Sequence, residues 1–198
     1  MRHLLALSLT TVMLSVLTAC ATAPASRFYL LVPLTGDTTM HASSIALAIG
    51  VGPVELPKYL SRPQIAVRTG ANELVYSETH RWAETLQDNV SDVLAENLGL
   101  LVPTDKVSVF PWGRSTTIDY QVVAEISRFD ADANGNVVLA ANWRLYSEES
   151  REVVVEKRSV FTEPVGGTGY TEIVAAQSRA LAALSQEIAG AIRAASSH

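Results

Sequence analysis

The sequence predicts an α+β fold, with a largely antiparallel sheet and two main helices packed on one face. Three observations lead to this fold class: short alternating apolar runs, two long stretches with apolar residues every three or four positions, and hairpin turns in place of βα repeats. Of the 198 residues, 179 follow residue 19, and neither an internal repeat nor a linker divides them. That length supports one core, so we expect residues 27–198 to form a single domain.

The first half of the chain predicts short strands that are interrupted by prolines. A proline has no amide hydrogen to donate to a ladder, so Pro53, Pro57 and Pro63 are expected to fall outside the regular strands. The predicted strands are 28–32, 45–51, 64–68 and 73–77. A turn over residues 69–72 joins the last two.

The first helix is predicted from residue 79 onward, where the apolar spacing changes to three and four. Thr79 is the expected N-cap and Gly99 a weak C-terminal signal. Trp82 begins the apolar stripe and is expected to face the sheet, whereas Arg81, one position round the helix, points at least partly away. The stripe consists of Trp82, Leu86, Val90, Val93, Leu94 and Leu98.

The second half predicts a meander of strands and a final helix. Residues 134–136 (Asn-Gly-Asn) favour a tight hairpin turn, because Asn and Gly tolerate a positive φ. Ile173 opens the apolar stripe of an Ala-rich helix that continues to Ile192. The strands of this half are predicted over 106–110, 119–130, 137–146 and 151–161.

The first twenty residues resemble a bacterial secretion signal. Arg2 gives a basic start, residues 4–17 form an apolar run too short to span a bilayer, and small residues lead into Cys20. Residues 17–20 (Leu-Thr-Ala-Cys) resemble the lipobox, whose cysteine is alkylated by diacylglycerol and, after cleavage, acylated on its new amine. The alternative is an ordinary signal cut at the Ala-Thr-Ala sequence of residues 21–23.

Cys20 is the only cysteine of the chain and is predicted to be a lipid anchor. A lone thiol can form neither an internal disulfide nor a cysteine cluster for a metal. Stable anchoring needs more than one acyl chain, which the S-diacylglycerol and N-acyl groups supply together. We therefore expect residues 1–19 to be removed and residues 20–26 to be a lipidated tether. Ala21, by resemblance to bacterial sorting signals, implies the outer membrane, with the domain in the periplasm.

Composition and motifs exclude several functional classes. The formal net charge is −5, and loss of Arg2 with the signal changes it to −6. No run of five like charges occurs, so we expect neither nucleic-acid binding nor a basic membrane patch. The sequence has no G-x-S-x-G, H-E-x-x-H or Walker-type motif, and the glycine-rich residues 166–169 precede no lysine. We expect a protein that is not an enzyme and that uses no metal or cofactor.

Two segments contain the residue types typical of protein interfaces. Segment 55–65 carries Tyr59 and Arg62 among its prolines, and segment 78–86 carries Arg81. Tyrosine, tryptophan and arginine are frequent interface anchors, so these three are the predicted partner-binding residues. The structural alternative is a proline-rich crossover and a core tryptophan beside a solvated arginine.

Six stretches of the chain are similar to the landmarks of a known family. They are FYLLVP (28–33), VGPVELPKYLSRPQI (51–65), NELVYSETHRWAETL (72–86), VLAENL (93–98), FPW (110–112) and AANWRLY (140–146). Together with the lipobox they resemble the PqiC-like family of ABC-type transport auxiliary lipoproteins. The resemblance implies a non-enzymatic outer-membrane lipoprotein that works with an MCE-domain protein. It also implies a role in moving phospholipid or other hydrophobic molecules between membranes and in envelope integrity.

Two functions remain open at this point. In the first, the domain docks, as a monomer or a homo-oligomer, on the periplasmic end of an MCE-type conduit while the lipid on Cys20 holds it at the membrane. In the second, it is a lipid carrier that holds an acyl chain in its own pocket. The Ala/Gly alternation over 45–52 and the Ala-rich segment 175–195 would suit such a pocket, although both are more typical of close helix–sheet packing.

Overall fold

The computed structural model describes residues 24–36, 47–150 and 152–197. The predicted signal peptide, Cys20 and most of the predicted tether lie outside these residues. The start of the strand predicted over 45–51 also lies outside them.

Eight strands and two α-helices build the described part of the chain. The strands are β1 (Arg27–Tyr29), β2 (Ile49–Glu55), β3 (Gln64–Gly70), β4 (Glu73–Trp82), β5 (Val107–Val109), β6 (Tyr120–Ala131), β7 (Asn136–Ser147) and β8 (Glu152–Pro164). The helices are α1 (Leu86–Leu101) and α2 (Tyr170–Ala195), with a short 3-10 helix at Lys58–Leu60. This element order confirms the predicted α+β fold class.

The strands form one mixed sheet with β6 at its centre. β7 runs antiparallel along one edge of β6, and β8 continues the meander beyond β7. β2 and β3 share the other edge of β6, because β2 runs parallel beside its first half while Val67 of β3 pairs with Ala131 at its end. β4 pairs antiparallel with β3, whereas β1 and β5 pair in parallel with β4 and β2. The predicted meander is confirmed, while the parallel pairings go beyond the prediction.

The hairpin between β6 and β7 follows from its turn residues. Gly135 has a φ of +77°, a conformation that L side chains rarely adopt. The Asp132 carboxylate accepts hydrogen bonds from the amides of Asn134 (2.9 Å) and Asn136 (3.0 Å). The turn predicted from Asn-Gly-Asn is therefore confirmed, and it sets the register of the two strands.

The start of α1 corrects the predicted helix boundary. Its N-cap is Thr85 rather than Thr79, and Thr85 Oγ1 accepts a hydrogen bond from the amide of Asp88 (3.2 Å). The residues up to Trp82 instead continue β4, because β1 pairs with its last three residues and satisfies their backbone groups. Trp82 is only 4% exposed, so its predicted burial is confirmed, although it enters the core from a strand.

Pro53 lies inside β2 and so departs from the prediction that all three prolines fall outside strands. The register of β2 against β6 shifts between Val51 and Val54, which interrupts the ladder at the proline. Pro57 and Pro63 do lie between β2 and β3, as predicted.

One apolar core lies between the sheet and the two helices. α1 packs against β2 and β5, α2 packs against β6, β7 and β8, and the helices contact each other. Inward residues of β6 such as Val122 and Ala124 are buried, whereas Glu125 on its other face is exposed. The largest fully buried side chains include Trp143, Phe129, Ile49, Ile65, Leu86, Leu94, Leu98 and Leu181.

Candidate functional site

Residues 30–36 follow β1 and cross the two helices, and we call them the N-terminal strap. Three amides of the strap donate to side chains of the helices: Leu31 to Asn89 Oδ1 (2.7 Å), Val32 to Ser178 Oγ (3.1 Å) and Leu34 to Asn97 Oδ1 (2.7 Å). The chain that follows β1, four residues after the predicted tether, is thus fixed to both α1 and α2.

The side chains that accept these bonds are polar groups inside the helix layer. Asn97 is fully buried, and its Nδ2 also donates to Ser185 Oγ on α2 (3.0 Å). Buried polar groups are stable only when they are paired, and the strap supplies partners for Asn89, Asn97 and Ser178. The sequence signal for this site is a pair of asparagines eight residues apart on an otherwise apolar helix face. Apolar periodicity alone does not recognise it.

Phe28, Leu30 and Val32 form a line of exposed apolar side chains, which we call the N-terminal row. Their exposed fractions are 64%, 47% and 61%. The intervening Tyr29 and Leu31 point inward, as expected for an extended chain whose side chains alternate. Because hydrogen bonds to the helices fix the backbone of the strap, the row is held on the outside.

An aromatic cluster joins β1 to β4 and to the start of α2. The hydroxyl of Tyr29 lies 2.7 Å from Nδ1 of His80, and the His80 ring stacks on Tyr170 with ring centres 4.0 Å apart. Tyr170 is the first residue of α2. His80 therefore serves as a structural link at the N-terminal edge of the sheet.

Tyr59, the first predicted partner-binding residue, is engaged inside the protein. Its hydroxyl donates to Oδ2 of Asp130 (2.7 Å), and the Asp130 side chain is fully buried. Burial and the hydrogen bond to Asp130 raise the pKa of Tyr59 to about 12. Arg68 and Arg128 also donate to this carboxylate, at 3.2 and 3.0 Å. The cluster ties the crossover between β2 and β3 to β6, so Tyr59 has a structural role, and its contact with a partner stays a prediction.

Arg62 and Arg81 lie at the same end of the β3–β4 pair. The guanidinium of Arg62 lies 4.9 Å from the ring centre of Tyr76, within the range of a cation–π contact. Arg81 is in register with Gln64 on one side and with Phe28 on the other. It therefore lies on a strand, and the predicted helix position is wrong. The structure places Arg81 beside Phe28 of the N-terminal row and Arg62 just before the start of the neighbouring strand β3, and their binding of a partner stays a prediction.

A surface cleft and the packing around Gly50 bear on the hypothesis of an acyl-chain pocket. A surface cleft of about 690 Å³ has acidic residues in its lining, among them Asp119, Glu148 and Glu149. Such a lining does not suit a hydrocarbon chain. A Cβ added to Gly50 would lie 2.8 Å from the ring of Trp112, so the small residue at this position permits close packing of an aromatic side chain. The lipid-carrier hypothesis gains no support from these two sites.

No cluster of three His, Cys, Asp or Glu side chains is placed to hold a metal ion within residues 24–36, 47–150 and 152–197. Among the helices that the structure describes, none is long and apolar enough to cross a membrane.

One family model matches most of the sequence. It is described as the ABC-type transport auxiliary lipoprotein component, and it matches residues 29–189. The matched range includes the whole strap and both segments that carry the predicted partner-binding residues. No functionally curated protein matches the sequence.

Solved structures share the fold at low sequence identity. Protein XCC0632 from Xanthomonas campestris, of family DUF330, is 19% identical with a TM-score of 0.66, and the alignment covers 90% of this chain and all (100%) of that chain. The crystal structure of an uncharacterized protein has a TM-score of 0.70 at 20% identity, with 85% of this chain and 99% of that chain covered. These likenesses support the α+β architecture.

Proposed function

The chain belongs to the family of ABC-type transport auxiliary lipoproteins, as predicted, and we propose that it is an accessory docking component of an MCE-type lipid transport system. The lipid on Cys20 holds it in the outer membrane, facing the periplasm, and the domain contacts the periplasmic end of an MCE-domain protein. It performs no chemistry itself. Confinement to the membrane raises its effective concentration beside the conduit, which supports transfer of phospholipid or another hydrophobic molecule and thereby envelope integrity.

The N-terminal strap is the observation that carries this proposal. A lipid anchor orients a domain only if the chain between the lipid and the domain joins the fold firmly. The first strap amide bound by a helix side chain belongs to Leu31, eleven residues after Cys20, and its acceptor is the buried Asn89. This short, fixed connection favours a domain that is held in place for docking over a carrier that diffuses between membranes.

The docking surface that we propose contains Arg62 and Arg81. Arg62 is exposed and Arg81 is half-buried. The Tyr59 carbonyl accepts a hydrogen bond from the hydroxyl of Tyr76, whose ring lies under Arg62. Arginine side chains form strong paired hydrogen bonds with carboxylates. A partner surface with acidic side chains would therefore suit this end of the sheet.

Cross-linking in intact envelopes, followed by affinity capture of the tagged protein, tests the proposal. The wild type should recover an MCE-domain protein, and the double variant Arg62→Ala/Arg81→Ala should recover much less of it while melting at a similar temperature. Arg114→Ala, at an exposed arginine of the loop between β5 and β6, is the matched control and should bind like the wild type. A wild-type sample that captures no MCE-domain protein would contradict the docking role.

Membrane fractionation tests the lipid anchor separately. Cys20→Ser removes the thiol that diacylglycerol alkylates, so the variant should leave the membrane fraction. Ser26→Ala, in the predicted tether, is the control and should stay with the membrane. If Cys20→Ser remained in the outer membrane as firmly as the wild type, the lipobox interpretation would be wrong.

A further inference from the structure

The N-terminal row is an apolar surface at a defined place beside the tether. Phe28 and Val32 are more exposed than most large apolar side chains of the described residues, and Leu30 lies between them on the same side of the chain. The hydrogen bonds from the strap to Asn89 and Asn97 prevent this segment from turning its apolar side inward. Exposure of these apolar side chains to water is unfavourable, so contact of the row with an apolar surface would lower the free energy.

The length of chain between the lipid and the row limits what that surface can be. Phe28 comes eight positions after Cys20, and a fully extended chain of that length spans at most about 29 Å. The intervening residues 21–26 (ATAPAS) carry no charge that would repel an anionic bilayer. In sequence, the row is thus the part of the described domain that comes closest to the membrane.

From these two observations we propose that the N-terminal row is a membrane-contact surface that rests on the lipid bilayer around the anchor. Phe28, Leu30 and Val32 lie at the boundary between headgroups and acyl chains, where aromatic and aliphatic side chains are favoured. The exposed Arg27 directly precedes Phe28 and suits lipid phosphates. The contact fixes which face of the domain points away from the membrane. This inference rests on the lipid anchor of the proposed function.

Depth-dependent fluorescence quenching of the lipidated full chain tests the inference. Acylated Cys20 leaves the protein without another thiol, so single variants Phe28→Cys, Leu30→Cys and Val32→Cys can each be labelled with an environment-sensitive dye. Val160→Cys on β8 is the matched control, because Val160 is 56% exposed and belongs to the opposite edge of the sheet. The proteins are reconstituted in vesicles of phosphatidylethanolamine and phosphatidylglycerol whose acyl chains carry bromine.

The membrane-contact surface predicts quenching by brominated lipid that is several-fold stronger at positions 28, 30 and 32 than at position 160. Equal quenching at all four positions would overturn it. A blue-shifted dye that brominated lipid does not quench would also overturn it, because the row would then be covered by protein, either a second copy or a partner. Mass spectrometry of the same sample distinguishes a failed anchor: an unmodified Cys20 would contradict the proposed function itself, and the inference with it.

Discussion

The meander (β6, β7 and β8) and the N-terminal edge (β1, the strap and the end of β4 that pairs with β1) are attached to the helices by different forces. In the meander, apolar side chains of β6 and β7 such as Phe129 and Trp143 enter the same core as α2. At the N-terminal edge Leu31 and Trp82 are buried and Tyr29 is partly buried, and hydrogen bonds from strap amides to helix side chains determine the path of the strap. Apolar burial gives stability without direction, whereas hydrogen bonds require one geometry. A short edge segment with few inward residues therefore depends on buried polar groups for a unique position.

Replacement of one tryptophan in each region should give the largest loss of stability. Trp82 belongs to the N-terminal edge and Trp143 to the meander. Trp82→Ala and Trp143→Ala should each lower the free energy of unfolding by about 3–5 kcal/mol, through lost burial and a cavity. Trp143→Ala should cost more, because its indole Nε1 also donates to Ser159 and Glu187, both at 3.1 Å. Urea unfolding measures the free energy of unfolding of both variants. Phe110→Ala is the control, because Phe110 is exposed, and it should lower this free energy by under about 1 kcal/mol. A stable Trp82→Ala protein that had lost its partner would make Trp82 an interface residue.

The meander is also the region that the sequence predicts well, because the information that determines it is local. The alternation of apolar and polar residues predicts a strand over 119–130, and the structure has this strand at Tyr120–Ala131. Asn-Gly-Asn predicts the turn that follows it. The stripe that begins at Ile173 gives α2. Side-chain alternation and turn chemistry act between near neighbours, so a single sequence displays them.

The N-terminal edge could not be predicted in the same way, because long-range contacts determine it. The spacing of Trp82 and Leu86 matches a helix, but β1 pairs with the end of β4 from more than fifty residues away and keeps it extended. Composition identified Arg62 and Arg81 as candidates and did not predict that Arg81 lies on a strand in register with Phe28. Asn97 looks like an ordinary polar interruption of a helix, since its partners in the strap and in α2 are distant in sequence.

Removal of one strap acceptor tests whether polar bonds hold the edge. Asn97→Ala leaves the amide of Leu34 and the hydroxyl of Ser185 without this partner, which should cost about 1–3 kcal/mol of unfolding free energy. Hydrogen exchange of the Leu34 amide should accelerate more than that of amides in β7. Glu96→Ala, at the exposed neighbour on α1, should change neither quantity. Unchanged exchange at Leu34 in Asn97→Ala would show that apolar contacts alone fix the strap.

Tyr59→Phe should lower the free energy of unfolding less than Asn97→Ala does, and its effect should depend on pH. Loss of the hydrogen bond to Asp130 should cost about 1 kcal/mol, because Tyr59 is only half-buried. The folded-state pKa of about 12 lies above the ordinary value of 10.0, so this contribution is full below pH 10 and is lost as the pH rises toward 12. Ultraviolet titration of tyrosinate should lose its component near pH 12 in Tyr59→Phe. Tyr146→Phe, outside the Asp130 cluster, should retain that component.

Glu187→Gln should give the smallest effect, and it tests the polar contribution inside the apolar meander. Burial opposes ionisation of Glu187, but hydrogen bonds from Lys157, Ser159 and Trp143 outweigh it, so the pKa lies below its ordinary value of 4.5. A lowered pKa stabilises the folded state above pH 4.5, and that contribution disappears as the pH falls through the folded-state value. Because the Lys157 pair is partly exposed, its loss should cost under about 1 kcal/mol.

The measurement for Glu187→Gln is the Tm at neutral pH and at several values below pH 4.5. The wild type should lose more of its Tm on acidification than Glu187→Gln does, so the two curves should converge at low pH. Glu125→Gln is the matched control, because Glu125 is exposed on the other face of the sheet, and its curve should follow the wild type. Parallel curves for the wild type and Glu187→Gln would show that α2 is held to the meander by apolar contact alone. That outcome would sharpen the contrast with the strap, where the polar bonds determine the position of the chain.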